Sequence, residues 1–327
     1  MCNGHSSLNG GTIFVSETNN QSLISGRGIY TNGFLTLISS EIKHNQAGYQ
    51  GGGIWSAKGL TSKDSKIFCN NVIILSLSSG GGGLFIDDGN CILDETNVTF
   101  NKVYYDTNRS MGGGISVMSG SIYVQNNSHT ENLNATTQQA QQSGGSGGSK
   151  LIQLIPEILN KFSILNNDLV NSAIEQITTN NLIAGGGIAS FLTAPIIIED
   201  SKVTNNFAGK FESASNAPFQ AIGGGIFSFK SQINLQNSII SCNRSLSSGG
   251  GIWTNTGLNS SKSKIINNCI ECEGDGGGLF NGKNSESTLI NTEIVCNVSK
   301  RNGGGIENQN LLSLISSIIK NNKSCFI

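Results

Sequence analysis

Three consecutive glycines followed by isoleucine or leucine recur eight times in this chain, and that repetition limits its fold more than any other feature. The copies begin at Gly51, Gly81, Gly112, Gly185, Gly223, Gly249, Gly276 and Gly303, with degenerate ones at Gly26-Arg27-Gly28-Ile29 and Gly147-Gly148-Ser149-Lys150. A second element follows each copy: a small or polar residue, an apolar residue, then asparagine three positions on, as in Ser40-Glu41-Ile42-Lys43-His44-Asn45. The asparagines run Asn45, Asn70, Asn101, Asn132, Asn167, Asn206, Asn243, Asn268, Asn297 and Asn322. The apolar slot holds Ile42, Ile67, Val98, Ile164, Val203, Ile240, Ile265, Ile294 and Ile319, with His129 as its one polar occupant.

Spacing within the repeat is tighter than spacing between repeats. Ile54 to Asn70 is 16 residues, Ile115 to Asn132 is 17 and Leu279 to Asn297 is 18, whereas successive asparagines lie 25 to 39 apart. A constant body with one variable loop is what stacked coils require. Short alternating stretches such as Phe34-Leu35-Thr36-Leu37-Ile38 have strand period. One such unit buries too few aliphatic side chains to offset the entropy of ordering its backbone, so neighbours must complete its core. The expected fold is therefore all-β: a right-handed parallel β-helix of about ten coils, as a single domain over residues 1–327. Residues 1–25 are expected to form an irregular first coil and residues 133–149 a low-complexity loop insertion. The asparagines should form one inward column whose amides link coil to coil, and the glycines should line a sharp corner.

Composition removes several function classes. Charged residues are 13% and the formal net charge is −1, so no electrostatic footprint for nucleic acid is present. No apolar run approaches the length that spans a bilayer, and no basic region followed by an apolar stretch opens the chain. Cys2, which lacks a preceding apolar segment, reads as an ordinary thiol. No cofactor-binding motif or metal-ligand set emerges. Cys269-Ile270-Glu271-Cys272 has redox-type spacing but lacks the βαβ context such a motif needs; Cys69, Cys242 and Cys296 each precede a ladder asparagine, with His44 in the same slot beside Cys69, but no further ligand or base lines up.

The paired motifs resemble the repeats of the chlamydial-type polymorphic outer-membrane protein family, in which Gly-Gly-Ala-Ile and Phe-x-x-Asn recur. Here the third position is glycine and the Phe slot is mostly Ile or Val, over residues 26–322. The resemblance implies a fold of the pectin-lyase-like superfamily and an adhesin displayed at the cell surface or secreted. Its partner would be a cell-surface glycan or protein. The chain would then be a fragment of something longer, or capped by a partner.

Two further roles stay open, a carbohydrate-active enzyme and a structural fibre segment. An enzyme would need acids gathered in one place. The densest patch is Asp87, Asp88, Asp94 and Glu95, and aligning coils places Asp94 in a column with Glu199 three coils away, so no catalytic residue is assigned. Five consecutive long loops, residues 71–80, 102–111, 133–146, 168–184 and 207–222, should bulge from one side of the rod. Tyr104, Tyr105, Phe211 and Phe219 are its candidate ligand-binding residues, although the same aromatics could simply pin the loops down. Residues 138–149, rich in Gln, Ser and Gly, read as a flexible tether.

Overall fold

The structure, a computed structural model, describes residues 6–9, 12–14, 28–73, 79–104, 109–126, 128–136, 181–192, 195–210 and 219–325. These residues form a β-solenoid in which every pairing between strands is parallel. The first face follows the glycine corner and stacks nine strands, from Ile29–Thr31 to Ile306–Asn308. The second face stacks ten, from Ser6–Asn9 to Leu311–Ile315. The third face carries the apolar slot, for example Lys66–Phe68, and after the asparagine a short continuation such as Asn71–Ile73. Residues 1–25 are thus not wholly irregular, since Ser6–Asn9 pairs with Leu35–Ile38 and Thr12–Phe14 pairs with Glu41–Lys43.

Register places like upon like. The first-face column runs Ile29, Ile54, Leu84, Ile115, Ile188, Ile226, Ile252, Leu279, Ile306. The second-face column includes Leu35, Leu60, Cys91, Ile122, Ile196, Ile233 and Leu258. Together with the third-face column they make one continuous apolar core. Cys91 is a spacer in it, and burial pushes its thiol pKa up to about 12.

The asparagine column is a hydrogen-bonded file. Asn45 Nδ2 donates to Asn70 Oδ1 at 2.9 Å, Asn70 to Asn101 at 3.0 Å and Asn101 to Asn132 at 3.0 Å. From Asn206 the same bond reaches Asn243, then Asn268, Asn297 and Asn322, at 2.8–3.0 Å. The second amide hydrogen goes to a carbonyl of the preceding coil, as from Asn70 to Ile42 O at 2.9 Å. From Asn70 onward each described ladder oxygen also accepts the backbone N–H of the rung before it, as Asn101 Oδ1 does from Asn70 at 2.9 Å, whereas Asn45 Oδ1 at the head of the file has no partner. Between Asn70 and Asn297, acceptors that would be costly to bury unpaired are thereby matched.

The glycines and the asparagines are two halves of one contact. At the third glycine a Cβ would lie 3.0 Å from the Asn70 amide at Gly53 and 2.9 Å from the Asn268 amide at Gly251. The first glycine takes a left-handed conformation, φ +58° at Gly51, and the second faces a carbonyl of the next coil, Gly82 O, 2.3 Å from where a Cβ would stand at Gly52. Three glycines in a row therefore answer three separate constraints.

Two expectations from the sequence are corrected. The first-face strand Ile115–Ser119 pairs directly with Ile188–Leu192, and the backbone N–H of Asn132 donates to Asn206 Oδ1 at 2.7 Å. Asn132 and Asn206 are thus neighbouring rungs, and no coil built on residues 147–167 stands between them. Asn167, Ile164 and the degenerate glycine turn all lie outside the described residues. Second, the occupant of the apolar column in that coil is Thr130, paired with Val98 and Val203; His129 pairs with Asn97 and Lys202. The register shifts between Thr99 and Asn101, because Phe100 has no counterpart in the shorter segment Thr130-Glu131-Asn132. Counting three residues back from the asparagine therefore lands one position off in this coil alone.

Candidate functional site: a two-layered flange

After the asparagine the described coils continue as strand, for two residues in Gln46–Ala47 and Arg244–Ser245, but in four consecutive coils the chain does not then turn into the glycine corner. It continues outward as strand, in Asn71–Ile73, Asn97–Tyr104, His129–Thr136 and Phe207–Lys210. It returns as Ser79–Gly80, Arg109–Met111, Asn181–Ala184 and Phe219–Ile222, which pair with one another in a separate four-stranded sheet. The outgoing strands pair likewise, Asn71 with Lys102 and Leu133 with Phe207. The result is a flange of two strand layers, outgoing and returning, on one corner of the rod.

Small residues allow the layers to lie close. Ala47, Val72 and Val103 form one buried cluster beneath the outgoing layer. Ala208 and Ala221, one from each layer, meet with Leu246 packed against them. Of the loops read as residues 133–146 and 168–184, residues 133–136 are an outgoing and residues 181–184 a returning flange strand. Residues 137–180 lie outside the described residues, as do 105–108 and 211–218.

Of the four candidate aromatics, Tyr104 ends an outgoing strand in register with Ile73, and Phe219 begins a returning strand in register with Asn181. They sit in different layers, two coils apart. Tyr105 and Phe211 fall outside the described residues.

Sequence reasoning misses a second aromatic assembly, although its signal is plain: it is the residue after the Gly-Gly-Gly-Ile/Leu motif. On the outer side of the first face this column reads Tyr30, Trp55, Phe85, Ser116, Ala189, Phe227, Trp253, Phe280, Glu307. Tyr30 stacks on Trp55 with centroids 4.5 Å apart and planes 6° off parallel. Trp253 stacks on Phe227 at 4.9 Å and on Phe280 at 6.1 Å. Because these rings cover one another's faces, they offer mainly edges to solvent. A sugar ring, which needs a free aromatic face, finds little platform there.

The pile is interrupted by Ser116 and Ala189, where the flange is widest. There Ala184 and Ile222 of the returning layer pack with Ala189, Phe191 and Phe227. Small residues in the column make room for the flange to lie against the rod. The fit is imperfect, since the buried Ser116 Oγ has no hydrogen-bond partner.

The acids are engaged locally. Asp88 faces Lys58 at 3.7 Å, and Asp94 accepts from Asn126 Nδ2 at 2.6 Å with Lys63 Nζ 3.9 Å away. Asp94 pairs with Gln125, and the Gln125 column continues at Glu199. The separation is therefore two coils rather than three, about 9.6 Å at the usual strand spacing. Asp275 is the most buried carboxylate of the corner turns. Arg301 donates to it through Nε at 3.0 Å and through Nη2, and the Asn302 N–H adds a bond at 2.9 Å. The Arg301 hydrogen bond first, and the Asn302 N–H after it, hold its carboxyl below the ordinary range. Burial raises that of nearby Glu307. Among the described residues no three His, Cys, Asp or Glu side chains gather as a metal set.

Cys69, Cys242 and Cys296 occupy the left-handed corner before the asparagine, at φ +54° to +58°. Cys269 and Cys272 are both free thiols, and burial raises the pKa of Cys269. Among the described residues no helix is long and apolar enough to cross a membrane. No family model matches the chain, and no curated protein or solved structure does so either.

Proposed function

We propose that this chain is a non-catalytic recognition rod of the adhesion type, which presents its contact surface on the flange. The observation that carries the reading is the construction of the flange itself. Ordinary loop insertions leave the coil as irregular chain, whereas these leave and return as strands paired across four levels. The strand ends Ile73 and Tyr104, and likewise Thr136 and Lys210, are thereby held in register, which lowers the ordering cost of engaging a partner there. The motif resemblance to the polymorphic outer-membrane repeats supports the same role and suggests a surface glycan or protein as the partner.

The test keeps every paired strand. Residues 137–180 and 211–218 are replaced by short Gly-Ser links, and attachment to cells and to arrayed glycans and proteins is measured beside the thermal transition. Loss of attachment with an unchanged transition is expected. Unchanged attachment would remove the flange from the reading. The enzymatic alternative rests on Asp94 and Glu199, whose separation of about 9.6 Å lies at the outer margin of the spacing for inverting hydrolysis. Release of reducing or unsaturated sugars from a polysaccharide, abolished by Glu199→Gln, would replace the adhesion reading with that one.

A further inference from the structure

Three ladder asparagines also head the acceptor motif for N-glycosylation, Asn-x-Ser/Thr: Asn243-Arg244-Ser245, Asn297-Val298-Ser299 and Asn322-Lys323-Ser324. The glycan would attach at Nδ2. In the folded rod both hydrogens of that nitrogen are donated at Asn243 and Asn297, and one of them at the half-buried Asn322. Asn243 Nδ2 donates to Val203 O at 2.9 Å and to Asn268 Oδ1 at 3.0 Å. Asn297 Nδ2 donates to Ile265 O at 2.8 Å and to Asn322 Oδ1 at 3.0 Å, and Asn322 Nδ2 donates to Ile294 O at 2.9 Å. Asn243 and Asn297 have no exposed surface.

The wall against these amides is the third glycine of the corner. A Cβ there would stand 2.9 Å from the Asn243 amide at Gly225, 3.0 Å from that of Asn297 at Gly278 and 2.8 Å from that of Asn322 at Gly305. A gap too narrow for a methyl group cannot admit a sugar. Other acceptor motifs face outward: Asn259-Ser260-Ser261, with Asn259 exposed and its Nδ2 donating to Asn234 Oδ1 at 3.1 Å, and Asn126, exposed at a corner.

We infer that folding of this rod and N-glycosylation of Asn243, Asn297 and Asn322 exclude one another. Transfer to the unfolded chain leaves the coils from Gly223 onward unable to stack, and the folded chain carries glycan only at outward acceptors such as Asn259. The native rod is therefore assembled where transfer to Asn-x-Ser/Thr does not occur, or ahead of it. This holds whether or not the flange binds a partner.

The experiment expresses the full chain in a eukaryotic cell, once in the cytosol and once behind a secretory leader. Limited proteolysis separates resistant from sensitive material, and mass spectrometry reads site occupancy in each. Glycan on Asn243, Asn297 and Asn322 should be confined to the sensitive fraction, while Asn259 is occupied in the resistant one. If folding outruns transfer, slowing it with Asn268→Ala should bring glycan onto the ladder sites. The triple variant Ser245→Ala, Ser299→Ala, Ser324→Ala keeps the asparagines, is checked first for folding in the cytosol, and should restore secreted resistant material to the cytosolic level. Glycan on Asn243 or Asn297 in protease-resistant chain would overturn the inference, as would failure of Asn268→Ala to expose the ladder sites.

Discussion

The coils from Gly223 to Asn322 and the flanged coils from Asn71 to Ile222 are built on the same body but differ at one corner. In the first group the asparagine is followed by a two-residue strand such as Arg244–Ser245 and then a short turn, and Phe227, Trp253 and Phe280 stack without interruption. In the second the chain runs out into the flange, the column holds Phe85 and then falls to Ser116 and Ala189, and one coil has lost a residue before its asparagine. The ladder passes through both groups without a gap. The ladder is kept because each described rung from Asn70 to Asn297 is bonded to both its neighbours, whereas the corner varies freely because it comes after that bonding is complete.

The most damaging way to probe this comparison is to remove a rung where nothing but the ladder supports the corner. Asn268→Ala leaves the N–H and Nδ2 of Asn243 and the carbonyl of Ile240 without their partners. At ~1–3 kcal/mol for each buried group left unpaired, the cost is about 4–6 kcal/mol. Chemical denaturation of the regular coils should lose that much stability, while hydrogen exchange in the flanged coils changes less because coupling in stacked repeats is to neighbours. Equal loosening of both groups would mean that the rod unfolds as one unit.

Next in size is Gly251→Ala, which places a methyl carbon 2.6 Å from Gly278 O and 2.9 Å from the Asn268 amide. Overpacking of this kind costs about 2–3 kcal/mol, read as a lowered denaturation midpoint. An outcome near zero would show that the corner can widen, and would uncouple the glycine column from the asparagine column.

That coupling explains which parts of the molecule are legible in its sequence. The solenoid, its inward asparagine file and its glycine corner can be read because each coil repeats the same contact, so eight copies report on one geometry. Spacing alone fits Asn167 between Asn132 and Asn206, whose direct bond leaves no rung between them; Asn167 and the turn at residues 147–150 lie outside the described residues. His129 misleads for the opposite reason: a one-residue deletion leaves composition intact and shifts the frame. The flange is legible as clustered loops but not as paired strands, since its alternation is short and its small residues, Ala208 and Ala221, carry meaning only once two layers meet. The aromatic pile is visible as the residue after each corner, but a column of Trp and Phe broken by Ser and Ala shows its logic only when the flange is laid across the gap.

Smaller effects sharpen the contrast between the two groups. Trp253→Ala removes a half-buried ring stacked between Phe227 and Phe280, with Phe229 parallel at 6.5 Å. A loss of about 2–3 kcal/mol in equilibrium denaturation is expected, below the range for a fully buried tryptophan. No loss would make the pile an ornament of the regular coils. Asp275 pins a corner turn through Arg301 and Asn302, a task the flanged coils give to paired strands. Because its folded pKa is depressed, its stabilisation is complete above the unfolded carboxylate value and is lost as pH falls through the folded one. The melting temperature of Asp275→Asn should therefore lie below that of the parent at neutral pH and converge with it in acid; a gap that persists in acid would assign the effect to packing.

The smallest effect comes from the flanged side. Ser116 sits where the returning layer covers the rod, and its buried hydroxyl lacks a partner. Replacing it with alanine removes an unpaired polar group and leaves the backbone pairing with Phe85 and Ala189 untouched. Ser116→Ala should be neutral or stabilising by up to about 1 kcal/mol, since deleting an unsatisfied group recovers part of its desolvation cost. Differential scanning calorimetry resolves a shift of that size. A clear destabilisation would mean that the hydroxyl is satisfied by a water or by the flange, and that the seam between flange and rod is polar rather than packed.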